Sequence, residues 1–151
     1  MPPLPAFVQE SPSAYSRPLR EPIYEIFLGA GGPPDWLGDL PGAHRLVQTL
    51  LKGEMSGRYE LLDFLIWPDG LLARFSLGQA SLPGLLGFLK DHSVPSSADP
   101  RSHWNGRLER VRLVPPRDLP GSQASFLHAA ERIRALSPGL FFLYQKSATR
   151  P

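Results

Sequence analysis

Along this chain of 151 residues, segments with the apolar pattern of β-strands are interspersed with segments that have the pattern of amphipathic helices. Four segments of strand length are rich in aromatic, β-branched and leucine residues: 23–28, 59–67, 71–77 and 108–114. Three segments repeat apolar residues at the i, i+3, i+4 and i+7 spacing of an amphipathic helix: 41–53, 82–92 and 122–136. The chain therefore predicts the element order β-α-β-β-α-β-α. Residues 140–144 fit either a short final strand or a packed tail.

The turn Pro68-Asp69-Gly70 separates the second and third strand segments. Proline fixes its φ angle and glycine accepts positive φ, so this turn predicts a β-hairpin. With this element order, two βαβ halves form one antiparallel sheet with helices packed on one face. The predicted fold class is α+β, with a ferredoxin-like arrangement.

The chain divides into three predicted parts. Residues 1–22 carry prolines that prevent helix or inner strand, and they predict a flexible N-terminal arm. Residues 23–146 form the single predicted domain, and residues 147–151 form a tail.

Composition narrows the chemistry only slightly. Among the 16 basic residues arginine far outnumbers lysine. Arginine suits bidentate phosphate contact, so DNA binding is permitted, although a GC-rich genome gives the same bias. The chain has no cysteine, which excludes disulfides and thiolate zinc sites. It lacks a secretory signal and an apolar run of about 20 residues, so we expect a cytoplasmic protein without a membrane span.

The hairpin resembles that of the single-strand HUH tyrosine transposases, particularly the bacterial REP-associated tyrosine transposases. In that family the turn reads Met-Pro-Asn-His-hydrophobic-His, and here residues 67–72 read Trp-Pro-Asp-Gly-Leu-Leu. In that family the two histidines of this turn hold a divalent metal ion. Gly70 and Leu72 stand at those positions and leave the metal-ligand places vacant.

The resemblance covers roughly residues 20–140, and its further landmarks include the first strand ahead of a long connection and the strand at residues 60–64 that leads into Pro68. Residues 81–90 are similar to the family's Ser-Leu-x-x-hydrophobic-x-x-hydrophobic-Leu-Lys helix, and Trp104 matches an isolated tryptophan of many relatives. Residues 132–140 look like a compressed form of its Tyr-Ile-x-x-Asn-Pro-Val-x-Ala-Gly-Leu segment. Ile133 then falls on the position of the nucleophilic tyrosine.

The family's reaction is the nicking and joining of single-stranded DNA. It needs a tyrosine and a cation held by two imidazoles, two residues apart on one strand face. The chain contains no His-x-His. We therefore expect no catalytic residue, no metal and no cofactor. An unrelated ferredoxin-like domain is the main alternative to the resemblance.

A binding surface is then the remaining candidate site. The candidate DNA-binding residues are Arg74 on the third strand, Arg110 and Arg112 on the fourth, Arg132 and Arg134 near the end of the last helix, and the base-stacking candidates Trp67 and Trp104. The simpler alternative is that these arginines are ordinary residues of a solvated face.

Three functions follow from these observations. The first is a catalytically inactive, transposase-like protein that binds single-stranded or hairpin DNA. The second is a small protein-interaction or dimerisation module, including a homodimer, that uses the sheet edge and the proline-rich arm. The third is an active DNA transposase or nuclease with a relocated metal site.

We predict that the purified protein neither cleaves nor covalently joins single-stranded DNA with Mg²⁺ or Mn²⁺. The reason is that Gly70 and Leu72 offer no side-chain ligand atoms. Denaturing gel electrophoresis of the incubated mixture checks this expectation. A metal-dependent covalent adduct between protein and DNA would contradict it.

Overall fold

The computed structural model describes residues 21–31, 36–78, 80–95, 98–136, 139 and 141–145. Its strands are β1 (Ile23–Ala30), β2 (Glu60–Trp67), β3 (Gly70–Ser76), β4 (Trp104–Val114) and β5 (Phe142–Gln145). Its helices are α1 (Leu40–Met55), α2 (Leu82–His92), the short α3 (Pro100–His103) and α4 (Leu119–Leu136). No helix within these residues is both long and apolar enough to cross a bilayer. The predicted tail, and all of the predicted arm except residues 21 and 22, lie outside the described residues.

The five strands form one antiparallel sheet in the order β4-β1-β3-β2-β5. The predicted α+β class is confirmed, and the architecture is compatible with a ferredoxin-like fold. β4 begins at Trp104 rather than at Leu108. Its pairing with β1 shifts register between Phe27 and Gly29, as at a β-bulge, and then continues as far as Trp104. The final segment is a strand, since β5 pairs with β2.

Helices α1 and α2 pack on one face of the sheet, as the sequence predicted. Four of the five apolar positions of α1 that the helical spacing selects are buried, namely Ala43, Leu46, Val47 and Leu50, and the fifth, Leu51, is partly buried against the same core. They join one core cluster with Leu85, Phe88 and Leu89 of α2 and with the sheet residues Ile26, Phe64, Ile66, Leu71 and Phe75. This cluster is the main core of the molecule.

Helix α4 lies on the opposite face, so the expectation that all helices share one face requires correction. Phe126 and Ala130 of α4 pack against Leu65 and Trp67 of β2. β2 is buried on both sides, because Phe64 and Ile66 face the main core while Leu65 and Trp67 face α4. A strand with apolar residues on both faces needs cover on both.

Tyr59 joins the end of α1 to the start of β2. Its hydroxyl donates a hydrogen bond of 2.6 Å to the carbonyl of Leu50, and burial raises the pKa of this phenol. The ring passes so close to Gly53 that a Cβ there would lie 2.2 Å from the Tyr59 oxygen. Glycine is therefore required at this point of the helix for steric reasons.

We predict different costs for two alanine substitutions on the same helix. Leu89 is fully buried in the main core, whereas Leu86 is only partly buried beside it. Leu89→Ala should lower the free energy of unfolding by about 2–5 kcal/mol because it leaves a cavity. Leu86→Ala should cost clearly less. Urea denaturation of both variants checks the ranking, and equal losses would contradict the packing described for α2.

Candidate functional site

A row of alternating charges crosses four neighbouring strands on the α4 face of the sheet. Arg112 of β4 lies opposite Glu25 of β1, and Glu25 lies opposite Arg74 of β3. Arg74 in turn lies opposite Asp63 of β2. Opposite charges that face each other across strands stabilise the pairing. The row runs from the open β4 edge to the part of the sheet beneath α4.

Arg74 belongs to the buried end of this row. It and Asp63 are each 1% exposed. The guanidinium donates from Nε to Oδ1 of Asp63 at 2.9 Å and from Nη2 to Oδ2 at 2.6 Å. Its Nη1 donates to the hydroxyl of Ser122 on α4 at 2.6 Å. The expectation that Arg74 contacts DNA is therefore corrected: its charge is enclosed between the sheet and α4.

The Asp63 carboxylate experiences two opposing effects. Burial raises its pKa, because the charged form loses its hydration. The hydrogen bonds and the positive charge of Arg74 act in the opposite direction. The burial effect is the larger one, so the pKa lies above its ordinary value and the charged form depends on Arg74.

The two tryptophans that were expected to stack on bases are core residues. Trp104 is 5% exposed, and its Nε1 donates to the hydroxyl of Ser93 at 3.0 Å. Its ring also meets Trp36 edge-on, with 5.1 Å between centroids. Trp67 is 7% exposed within the cluster under α4. Neither ring is available to a ligand in this structure, so these two assignments are corrected.

The other four candidate arginines are exposed. Arg110 and Arg112 project from one face of β4, two residues apart. Arg112 donates from Nε and Nη2 to Oε1 of Glu25, at 3.0 and 2.8 Å. Arg132 and Arg134 lie on the last turns of α4, and the guanidinium of Arg134 sits 5.7 Å from the centroid of the Phe141 ring. The structure thus leaves a basic pair on β4 and another on α4.

An open groove lies on the α4 face of the sheet, over β1, β3 and β4. Its lining residues are Glu25, Phe27, Leu72, Arg110, Val111 and Arg112. Phe27 and Leu72 are partly exposed and contribute apolar surface. The sequence reasoning missed Phe27. The signal was available, since alternation along β1 places it on the same face as the charged Glu25.

Gly70, Leu72 and Ile133 occupy the positions that the resemblance assigns to the metal ligands and the nucleophile, and none of them has a side chain that could serve as a ligand or nucleophile. Leu72 and Ile133 both pack against the apolar cluster beneath α4. At Gly70 a Cβ would lie 2.6 Å from the backbone oxygen of Leu28. An imidazole at position 70 therefore needs a shift of β1. Among the described residues, no three His, Cys, Asp or Glu side chains form a group that could hold a metal ion.

Comparison with known proteins found no matching protein-family model, no matching curated protein and no matching solved structure. The resemblance to the tyrosine transposases therefore rests on the residues quoted above.

We predict that two arginines of the same charge row differ sharply in their contribution to stability. Arg74→Gln leaves the buried Asp63 carboxylate without its ionic partner and should cost about 3–5 kcal/mol. Arg112→Gln removes an exposed ion pair and should cost at most about 1 kcal/mol. Urea denaturation measures both.

A second variant tests the cause of the Arg74 effect. Adding Asp63→Asn to Arg74→Gln removes the unpaired charge, so the double variant should be more stable than Arg74→Gln alone. If Arg74→Gln were as mild as Arg112→Gln, the buried pair described above would be contradicted.

Proposed function

We propose that this protein is a catalytically inactive, transposase-like module that binds single-stranded DNA in the groove over β1, β3 and β4. The observation that carries the proposal is the combination of Arg110 and Arg112 along the outer strand with partly exposed Phe27 and Leu72 beside them. Proteins that hold single strands combine a basic track with aromatic side chains in this way.

The spacing of the groove residues suits a phosphate backbone. Residues two apart on a strand project from the same face about 7 Å from one another. Arg110 and Arg112 therefore offer two guanidinium groups along the same line. Phe27 lies opposite Arg110 in the sheet and is the aromatic residue that lines the same groove. A base stacked on such a ring contributes about 1–3 kcal/mol.

Glu25 lowers the expected affinity of this site for phosphate. Its carboxylate already accepts two hydrogen bonds from Arg112, so a phosphate has to compete for that guanidinium. Arg110 lies opposite an apolar residue rather than a carboxylate. We therefore assign the stronger phosphate contact to Arg110 and expect modest affinity with a clear dependence on salt.

The absence of catalysis in this proposal rests on the resemblance. The family's reaction needs two histidines and a tyrosine, and their counterparts here are Gly70, Leu72 and Ile133. A protein that only binds DNA needs the binding surface of the fold but not these three catalytic groups.

A double substitution tests the groove. Arg110→Gln with Arg112→Gln should weaken the binding of a labelled single-stranded oligonucleotide and flatten the slope of log affinity against log salt by about 1.4, or 0.7 for each lost phosphate contact. Fluorescence anisotropy at several salt concentrations, with duplex and hairpin DNA alongside, gives both quantities.

The matched control removes the same charge from the opposite side of the sheet. Lys52 lies exposed on α1, and Arg58 sits 4.2 Å above the ring of Phe88 on α2. Lys52→Gln with Arg58→Gln should leave the affinity and the salt slope nearly unchanged. Equal losses in both double variants, or no binding by the unmodified protein, would contradict the proposal.

The protein-interaction module is the second candidate. It is favoured by Val111 and Leu113, which are 37% and 56% exposed on the edge strand β4. Apolar side chains in such a position suit a protein partner better than a nucleic acid.

A further inference from the structure

β4 presents an unpaired edge. It lies at one end of the strand order, and no strand of the described residues pairs with its outer side. Its pairing with β1 is regular from Arg110 to Val114, beyond the register shift opposite Phe27 and Gly29. Backbone groups on an outer edge are able to pair with another extended chain.

The side chains of this edge divide by face. Arg110 and Arg112 lie on the α4 face, opposite Phe27 and Glu25. The alternation along β4 places the side chains of Val111 and Leu113 on the opposite face, although Val111, which stands between the two arginines, also borders the groove. Six large hydrophobic side chains of the described residues are exposed, and three of them, Leu108, Val111 and Leu113, lie on β4. The exposed apolar surface is therefore concentrated where the backbone is also open.

We propose that the outer edge of β4 binds an extended segment of a partner protein in which acidic and apolar residues alternate. The segment adds one strand to the sheet, so the backbone groups of β4 give part of the affinity. Its acidic side chains lie beside Arg110 and Arg112, and its apolar side chains lie beside Val111 and Leu113. Cross-strand pairs of both kinds stabilise a sheet.

A second copy of this chain fits the edge less well. Suppose that two β4 strands paired antiparallel over residues 110–114. Each arginine of one copy would then lie opposite an arginine or an apolar residue of the other copy, because this segment contains no acidic residue. Like charges directly opposite each other destabilise a strand pair. Charge complementarity therefore selects an acidic strand.

The strand site differs from the proposed DNA site, although both use Arg110 and Arg112. DNA occupies the face of the sheet, whereas the strand occupies its edge. The peptide experiment is therefore done without nucleic acid, so its failure does not decide the DNA proposal. DNA added afterwards should compete, because phosphate and carboxylate both require the same guanidinium groups.

The test uses blocked peptides of alternating Glu and Val, with a Lys-Val peptide of the same length as the charge control. The Glu-Val peptide should bind, and hydrogen exchange should slow at those backbone amides of residues 110–114 that point away from β1. Arg110→Glu should weaken the Glu-Val peptide roughly five- to tenfold, which corresponds to one or two cross-strand charge pairs, and should improve Lys-Val binding.

Arg107→Glu is the matched control, because Arg107 is exposed on the same strand but lies within the irregular stretch. It should leave the Glu-Val affinity nearly unchanged. Equal binding of the two peptides, binding without protection of the β4 amides, or no binding would overturn the proposal. Self-association that protects these amides in the absence of peptide would assign the edge to a second copy and overturn it as well.

Discussion

The buried ion pair of Asp63 and Arg74 is the interaction on which the two layers of this molecule depend. Removing two charges from water costs several kcal/mol for each, and only good geometry with further hydrogen bonds offsets it. Arg74 meets both carboxylate oxygens and also donates to Ser122 on α4. The pair therefore fixes the place where α4 meets the sheet.

The position of α4 decides what remains open for binding. The helix packs on β2, where Leu65 and Trp67 complete its apolar contact. The same face over β1 and β4 is left as a groove. One row of charges therefore has two different environments, since its inner end is buried between the sheet and α4 and its outer end, with Arg112, is exposed to solvent. The boundary between these environments falls at Glu25, whose cross-strand neighbours are both arginines.

Local patterns in the sequence predicted most of the fold. The spacing of Ala43, Leu46, Val47 and Leu50 gave α1, and the turn at Pro68 gave the hairpin, because both depend on residues close together in the chain. The side of the sheet that α4 covers depends on contacts between distant residues. The apolar residues on both faces of β2 were the one local sign that a second layer was needed.

The candidate site was predicted less well for the same reason. Alternation correctly placed Arg110 and Arg112 on one exposed face of β4. The same alternation placed Arg74 on a polar face without indicating the helix that covers it, because Ser122 is 48 positions away in the chain. Trp104 lies outside the predicted strand segment 108–114, yet it starts β4 and is buried against Trp36. Long-range packing overrode the local signal in both cases.

The hydrogen bonds of Arg74 also have an evolutionary consequence. A substitution of Asp63 alone leaves the buried Arg74 cation without its ion-pair partner, and a substitution of Arg74 alone does the same to the buried Asp63 anion. Ser122 belongs to the same set, because its hydroxyl accepts the third hydrogen bond of the guanidinium. Related proteins with this fold should therefore either keep all three residues or replace all three. The aspartate, the arginine and the serine are therefore expected to covary in divergent relatives of this chain, whatever the length of the loops between them.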